Sequence, residues 1–270
     1  MPIKIAAVVP HPIVLVPAIG KENISRLAKT ENFYQKIAET IKQEKIKSIF
    51  IISSHGKIEK DFFVFNVAKE FSLNFEEFGD FSLSLAIGGD LELTQVIREK
   101  LEENTPIRII NEKVLDFGCG VPLYRLCLEK DVEVSPFHIS KFSLAKHFVV
   151  GEKIGQILTN EKKKIAVIAS GDLSHRLTKN SPAGFSPKAA KFDQRLIELL
   201  QNKKIEEMIA LKEAQISEAR PCGLKSIAVL LGILSGAGID WGMENFVYEA
   251  PFGVGYLTTL LNLNKHLEQE

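Results

Sequence analysis

Three histidines follow three apolar segments of the sequence, each at the point where a predicted strand ends. The segments IKIAAVVPHP, IKSIFIISSHG and KIAVIASGDLSH lead to His11, His55 and His175. In an open α/β sheet, ligands bind in the crevice outside the carboxyl ends of the strands. Histidine is the commonest metal ligand, and its charge changes near neutral pH. We therefore expect these three side chains to share one metal or acid–base site in an enzyme.

The segment around the third of these histidines contains a carboxylate. Asp172 lies three positions before His175 in SGDLSHRL, near enough in sequence to orient the imidazole or to stabilise its positive charge. The other three histidines are assigned to no chemistry. His147 fits a helical pattern, His138 lies inside a predicted strand, and His266 lies in a polar tail.

Composition and charge favour a soluble enzyme. The chain has 270 residues, with 34 basic and 34 acidic side chains and a net charge of zero, so no overall field attracts nucleic acid or an anionic membrane. No apolar run approaches the roughly 18 residues of a membrane span, and the N-terminal segment lacks the features of a signal peptide. Three cysteines without a CxxC pair argue against a disulfide framework. We expect a cytoplasmic protein.

Alternating strand and helix patterns predict the fold class. We expect one domain over residues 1–270, an α/β fold of three αβα layers with helices on both faces of a mixed central sheet. The predicted strands are Ile3–Val9, Ile46–Ile52, Asp61–Val67, Ile107–Ile110, Val132–Ile139, Ile165–Ala169 and a region within Phe246–Leu263. The predicted helices are Asn32–Lys45, Asp90–Asn104 with Asp90 as N-cap, Leu144–Leu158, Ala189–Leu200 and Cys222–Ser235.

Several segments together resemble a known family. VVPHP, SSHG, LDFGCGVPLYRL, ASGDLSHRLTKNSPAGF, EARPCGLKSI and YEAPFGVGY are similar to the LigB-type, class III extradiol dioxygenase superfamily, nearest to its AmmeMemoRadiSam-associated, Memo-like branch. The resemblance runs from about Ile5 to Tyr256. It implies a single αβα domain, and an enzyme that uses non-haem Fe(II), held by two histidines and one carboxylate, to open a catecholic ring with O2.

The resemblance also implies roles for the three histidines. His11 and His55 correspond to the two histidine ligands, and His175 corresponds to the acid–base catalyst beside the metal, with Asp172 next to it. A facial set of three ligands leaves open positions for a bidentate catecholate and O2. A neutral imidazole nearby can accept a substrate proton and later return it. The expected metal is Fe(II), with Cu and Zn as alternatives, and the expected partners are a small-molecule substrate and O2.

Two departures from the family pattern concern the same site. Dioxygenase-like members have Asp-His-Gly where this chain has Asp116-Phe117-Gly118, so an apolar ring stands where they have a histidine. The resemblance implies that Asp116 and Phe117 line the substrate pocket, and the alternative for Phe117 is a core residue beside a turn. The third metal ligand is a C-terminal glutamate in dioxygenases and the cysteine of a Cys-Gly pair in the Memo-like branch. Here both Glu218 and Cys222 are candidates, separated by a proline that marks a helix start, and Glu249 is a weaker one. An inert, buried Cys222 is the alternative.

Three hypotheses follow. The first is a metal-dependent dioxygenase-like oxidoreductase that acts on a small phenolic or related cyclic substrate. The second is a Memo-like metal- or redox-binding protein whose substrate, if any, is not a catechol. The third is a non-catalytic partner of a radical-SAM protein. The three strand-end histidines favour the first two, whereas Phe117 and Cys222 favour the second and third. The sequence leaves the substrate, the metal and homo-oligomerisation open.

Overall fold

A computed structural model describes residues 1–265 of the chain; His266 lies outside the described residues. The twelve strands of the described part are β1 (Ile3–Val9), β2 (Ser48–Ser53), β3 (Phe63–Asn66), β4 (Glu70–Phe75), β5 (Asp80–Gly88), β6 (Ile107–Ile110), β7 (Glu133–His138), β8 (Ile165–Ser170), β9 (Ile239–Gly242), β10 (Phe246–Glu249), β11 (Tyr256–Leu260) and β12 (Asn262–Lys265). The α-helices of that part are α1 (Pro17–Gly20), α2 (Ala28–Glu44), α3 (Leu91–Glu102), α4 (Phe117–Arg125), α5 (Leu144–Leu158), α6 (Ala189–Gln201), α7 (Ile205–Ile209), α8 (Glu213–Ala219) and α9 (Leu224–Gly236).

Eight of the strands form one mixed sheet in the order β10-β11-β1-β8-β2-β7-β3-β6. The central strands β1, β8, β2 and β7 run parallel to one another. The antiparallel pairs lie towards the edges, where β11 joins β1 and β3 joins β7. The predicted three-layer αβα class with a mixed sheet is therefore confirmed.

Alternate residues of the central strands face opposite layers, as the pleat of a strand requires. On one face, side chains such as Phe50 and Val167 pack with helices α3, α5 and α9. On the other face, side chains such as Ile51 and Ile168 pack with α2 and α4. Because the central strands are covered on both sides, they appear in the sequence as nearly continuous apolar runs.

Some predicted bounds agree with the structure and others differ by up to four residues, since the predicted helix Asn32–Lys45 spans Ala28–Glu44. The strand Ile107–Ile110 and the helix Leu144–Leu158 occur with the predicted bounds. Asp90 is the N-cap of α3, since its carboxylate accepts a hydrogen bond from the backbone N–H of Leu93. The β4–β5 hairpin was not predicted. Its second strand is largely exposed, so that strand has no clear alternation of buried and exposed residues.

One bound was predicted wrongly at a position that matters for the site. The predicted helix Cys222–Ser235 begins at Leu224 instead. The N–H of Gly223 donates a hydrogen bond to the carbonyl of Asp172 at 2.8 Å, which ties this backbone to the loop after β8. Cys222 therefore lies in a loop ahead of α9. Within residues 1–265, no helix combines the length and the apolar character that a bilayer crossing needs.

Candidate metal centre

The site lies at the carboxyl ends of three adjacent parallel strands. β8 is flanked by β1 on one side and β2 on the other, so the loops that follow these three strands meet at one edge of the sheet. His11 comes two residues after β1, His55 two residues after β2, and His175 five residues after β8. The strand order explains why three histidines far apart in sequence become neighbours.

Two imidazoles and one thiol converge in this crevice. The Nε2 atoms of His11 and His55 lie 3.1 Å apart, and the Sγ atom of Cys222 lies 3.5 Å from Nε2 of His11. The donor atoms of all three residues fall within 4.8 Å of one another. His11 is buried, while His55 and Cys222 are partly exposed. The cluster therefore offers two nitrogen donors and one sulfur donor at a single point.

The tautomer of His11 follows from its neighbours. The hydroxyl of Ser170 donates its one proton to the carbonyl of Gly118. The oxygen of Ser170 also lies 2.9 Å from Nδ1 of His11, so it must accept the hydrogen bond that Nδ1 donates. Nε2 of His11 is then unprotonated and presents its lone pair to His55 and Cys222. This is the tautomer that a metal-binding imidazole needs, fixed by a partner outside the coordination sphere.

The separations of the donor atoms fit a metal ion. With bonds of about 2.0–2.1 Å to nitrogen and about 2.3 Å to sulfur, tetrahedral geometry puts two nitrogen ligands roughly 3.3 Å apart and a nitrogen and a sulfur roughly 3.5 Å apart. The observed separations are 3.1 Å for the two Nε2 atoms and 3.5 Å for Nε2 of His11 and Sγ of Cys222. These two separations therefore suit one bound ion, and the third pair of donor atoms, in His55 and Cys222, lies within 4.8 Å.

A pair of glycines lets Cys222 reach the histidines. A Cβ atom on Gly171 would lie 2.0 Å from the Cα of Gly223, and a Cβ on Gly223 would lie 2.7 Å from the carbonyl carbon of Gly171. Only glycine at both positions allows the two loops to touch. The contact places the N–H of Asp172 3.1 Å from Sγ of Cys222, where it donates a hydrogen bond to the sulfur.

The protonation states of the donors follow from burial. Burial lowers the pKa of His11 below its usual value. Burial, with the neighbouring His11, lowers the pKa of His55 to about 4. Both imidazoles are therefore neutral at pH 7. Burial and the nearby Asp172 carboxylate raise the pKa of Cys222 to about 12, so the metal-free protein carries a thiol that must lose its proton to become a ligand.

His175 and Asp172 stand beside the three donor atoms. Nδ1 of His175 lies 3.0 Å from the carbonyl of Leu173 and must donate to it, which leaves Nε2 as the proton acceptor. Nε2 of His175 is 4.0 Å from Oδ2 of Asp172, and the same oxygen is 3.9 Å from Nε2 of His11. Oδ1 of Asp172 accepts a hydrogen bond from the backbone N–H of His11 at 2.9 Å. The Asp172 carboxylate therefore lies between His175 and the donor cluster.

Phe117 packs against both histidines. Its ring centroid is 4.2 Å from that of His55 and 5.4 Å from that of His11. A cavity of about 560 Å³ begins at this wall, with His55, Asp116 and Phe117 among its lining residues. The cavity provides space for a small molecule next to one of the proposed ligands.

The two glutamates considered as third ligands lie in other networks. Glu218, in α8, accepts a hydrogen bond from the Ser186 hydroxyl at 2.7 Å and pairs with Lys188 at 3.5 Å. Glu249 accepts hydrogen bonds from the N–H and the hydroxyl of Thr30, each at 2.8 Å. Among the metal-ligand clusters of the described residues, neither glutamate takes part. The structure brings Cys222, and neither glutamate, to the two histidines.

A second polar cluster lies behind the first. Asp116, Cys119 and His138 have potential ligand atoms within 4.8 Å of one another. Oδ2 of Asp116 is 3.2 Å from Nε2 of the buried His138, and its Oδ1 accepts a hydrogen bond from the Ser53 hydroxyl at 2.6 Å. Oδ1 therefore accepts a hydrogen bond, whereas Oδ2 makes a close polar contact with His138 that lacks hydrogen-bond geometry, and the His138 imidazole has no hydrogen-bond partner among the described residues.

Sequence reasoning missed the residues that support the donors. Ser53, His138 and Ser170 are the last residues of β2, β7 and β8. The signal was available, because a polar residue at the end of a buried apolar strand lies at the same sheet edge as His11 and His55. The sequence pattern predicts His138 inside a strand, and in the structure it is the last residue of β7.

Comparisons with known proteins agree with this architecture. Residues 5–259 match the family described as the catalytic LigB subunit of aromatic ring-opening dioxygenase. Protein CA_C1420 of Clostridium acetobutylicum is 30% identical in an alignment of 258 residues that covers 92% of this chain and 55% of that protein. The chain thus spans about half the length of this curated relative.

A solved structure is also similar. The uncharacterized protein JW3007 from Escherichia coli K12 superposes with a TM-score of 0.67 and 17% sequence identity, over 96% of this chain and 99% of that one. At this level of identity the likeness concerns the fold alone.

Proposed function

Because the chain belongs to the family of the catalytic LigB subunit of aromatic ring-opening dioxygenases, we propose that it is a metal-dependent, extradiol-dioxygenase-like oxidoreductase. Its proposed substrates are a small phenolic or catecholic molecule and O2. The observation that carries the proposal is the convergence of unprotonated Nε2 of His11, Nε2 of His55 and Sγ of Cys222 within 4.8 Å. Fe(II) is the proposed metal, and when bound it supplies the redox-active centre.

The residues around the centre are placed for the acid–base step that the reaction needs. His175 is oriented by the carbonyl of Leu173 so that its Nε2 can accept a proton from a phenolic hydroxyl. Asp172 lies 4.0 Å from that nitrogen and stabilises the positive charge that develops. The ring of Phe117 provides an apolar wall for an aromatic ring, and the cavity beside His55 provides the space for it. His175 is therefore the proposed catalytic base, and Asp172 its charged neighbour.

A second candidate function is supported by the third ligand. A thiolate is a softer donor than the carboxylate that completes the usual two-histidine Fe(II) site, and it favours Cu(I) or Zn. Cys222 in this position supports a Memo-like metal- or redox-binding protein that does not open catechols. A third proposal, a non-catalytic partner of a radical-SAM protein, requires neither bound metal nor turnover.

One experiment separates these functions. The protein is purified without oxygen, its metal content is measured, and O2 uptake is followed with a panel of catechols. Bound Fe(II) with O2 uptake supports the dioxygenase-like enzyme, whereas bound Cu or Zn without uptake supports the second candidate. His11→Ala and His55→Ala should abolish tight metal binding, and His175→Gln should keep the metal but stop turnover. Metal content unchanged in both alanine variants would refute the metal centre.

The third ligand is tested in the same assay with a matched control. Cys222→Ser should weaken metal binding, because a neutral hydroxyl replaces the thiolate donor. Cys127→Ser is the control, since Cys127 is a free, exposed cysteine away from the cluster. Equal metal affinity in the two serine variants would show that Cys222 is not a metal ligand.

A further inference from the structure

The first turn of α4 touches the supports of both histidine ligands. We call Asp116, Phe117 and Gly118 the Asp116 turn. Asp116 is the N-cap of α4 and accepts a hydrogen bond from the backbone N–H of Cys119 at 3.2 Å. The same oxygen, Oδ1, accepts a hydrogen bond from the hydroxyl of Ser53 at 2.6 Å. Helix capping alone would account for the first contact but not for the second.

The contact with Ser53 reaches His55. The oxygen of Ser53 accepts a hydrogen bond from the backbone N–H of His55 at 3.1 Å. Because the hydroxyl proton of Ser53 is directed to Asp116, its lone pairs are turned towards His55. Asp116 thus fixes the backbone of His55 through one intervening hydroxyl. The absence of a side chain at Gly118 permits this approach, since a Cβ there would lie 2.5 Å from the Ser53 oxygen.

The other end of the Asp116 turn reaches His11. The carbonyl of Gly118 accepts the hydroxyl proton of Ser170, and Ser170 accepts the hydrogen bond from Nδ1 of His11. The position of Gly118 therefore decides where the Ser170 proton goes, and with it which nitrogen of His11 is free. One turn of the chain thus supports His55 at its first residue and His11 at its last.

A buried imidazole accompanies the Asp116 carboxylate. Nε2 of His138 is 3.2 Å from Oδ2 of Asp116, and both side chains are more than nine-tenths buried. Burial alone would raise the pKa of Asp116, but the adjacent His138 imidazole and the hydrogen bond from Ser53 outweigh it and hold the pKa well below its usual range. Asp116 therefore remains a carboxylate, and so an acceptor, at neutral pH.

We propose that Asp116, in contact with His138, is a positioning residue that orients the His55 ligand through Ser53 and, by capping the turn that carries the Gly118 carbonyl, supports the His11 ligand through Ser170. The inference rests on the proposed metal centre. Residues outside a coordination sphere that orient its ligands typically affect metal affinity about 10–100-fold. We expect that loss for Asp116→Ala, measured as the Zn²⁺ dissociation constant against a competing chelator.

A control separates positioning from stability. Asp90 is likewise a buried aspartate that caps a helix, through the N–H of Leu93 at 3.0 Å, but it lies away from the cluster. Asp90→Ala should lower the melting temperature with an unchanged dissociation constant. Asp116→Asn keeps a carbonyl acceptor for Ser53 and should recover most of the affinity that Asp116→Ala loses. Equal dissociation constants for Asp116→Ala and wild type, in folded protein, would overturn the proposal.

A double-mutant cycle tests the route to His55. If Asp116 acts on His55 through Ser53, then Ser53→Ala and Asp116→Ala should not be additive, and the double variant should bind Zn²⁺ little worse than Asp116→Ala. Additive losses would contradict this route.

A measurement on the metal-free protein tests the positioning role of Asp116 independently of the proposed function. Amide hydrogen exchange at His55 should be faster in Asp116→Ala than in Asp90→Ala or wild type, because its acceptor Ser53 is no longer held. Wild-type protein that binds no metal would refute the proposed function, and exchange at His55 would then decide the role of Asp116. Unchanged exchange there would refute the positioning role.

Discussion

The centroid of the Phe117 ring lies 4.2 Å from the centroid of the His55 imidazole, and the two ring planes form an angle of 35°. An aromatic side chain therefore covers one side of the proposed metal centre, at the position where dioxygenase-like relatives are expected to have a histidine. Phe117 also packs edge to face against His11 and Phe78, with ring centroids 5.4 Å apart in each case. A phenylalanine here can neither donate a hydrogen bond nor carry a proton, so the wall is inert in acid–base chemistry.

Replacing Phe117 tests whether this inert wall limits ring opening. If it does, wild type should bind Fe(II) yet consume little O2 with simple catechols, and Phe117→His should raise uptake. General acid–base groups typically contribute about 10²–10⁴-fold, which sets the expected gain. Phe117→Leu, which stays apolar, is the control. If a Phe117→His variant binds Fe(II) but is as slow as wild type, the Cys222 ligand, and not Phe117, would explain the low O2 uptake. Vigorous catechol cleavage by wild type would contradict both explanations.

The affinity for metal should depend on pH through Cys222. Its thiol has a pKa of about 12, and the His55 imidazole has a pKa of about 4. Between pH 6 and 9 the imidazole is already neutral and the thiol still protonated, so binding releases one proton from sulfur. The Zn²⁺ association constant should then rise about tenfold for each pH unit. Cys222→Ser should bind more weakly and lose this slope, whereas an identical slope in that variant would show that the proton comes from another group.

The sequence predicted best what depends on local pattern. Continuous apolar runs identified the central strands, and strand ends identified His11, His55 and His175. The sequence does not choose the proposed third ligand among Cys222, Glu218 and the weaker candidate Glu249, because the choice depends on a contact between distant loops. Gly171 and Gly223 create that contact by packing backbone against backbone, and no periodicity in either segment encodes it.

The support of the histidines was harder to predict for a related reason. Ser170 and Ser53 act through hydrogen bonds whose direction is set by the Asp116 turn, which is more than 50 residues from each of them. Strand-end position indicates that such residues share an edge of the sheet. It does not indicate which atom donates to which, and that determines the tautomer of His11.

Asp193 should give the stability of the protein an unusual pH dependence. This α6 carboxylate accepts hydrogen bonds from the N–H of Ser174 and the hydroxyl of Tyr248, and burial raises its pKa to about 6. An acid whose folded-state pKa is raised contributes stability that is present below its unfolded pKa, near 4, and is lost as pH rises through about 6. A shift of about two units corresponds to roughly 3 kcal/mol.

Urea unfolding at pH 4, 5 and 7 checks this expectation. Asp193→Asn removes the titrating group, so the variant should gain stability relative to wild type as pH rises from 4 to 7. Asp240→Asn is the control, because Asp240 is an exposed carboxylate paired with Lys203 whose pKa is lowered by that pairing. A stability difference between Asp193→Asn and wild type that is constant with pH would show that folding does not raise the pKa of Asp193.

The charge around the cavity should select among substrates. Glu76, Glu77 and Glu112 line the cavity beside His55, and its lining residues include no lysine or arginine. We expect metal-loaded protein to bind catecholic amines more tightly than catecholic carboxylates, with the difference shrinking at high salt because the glutamates are exposed. Each exposed charge should contribute roughly two- to fivefold. Glu76→Gln and Glu77→Gln should reduce the preference, while Glu129→Gln, at an exposed site paired with Lys42, should not. Tighter binding of the carboxylates by wild type would show that substrate enters the centre by another route.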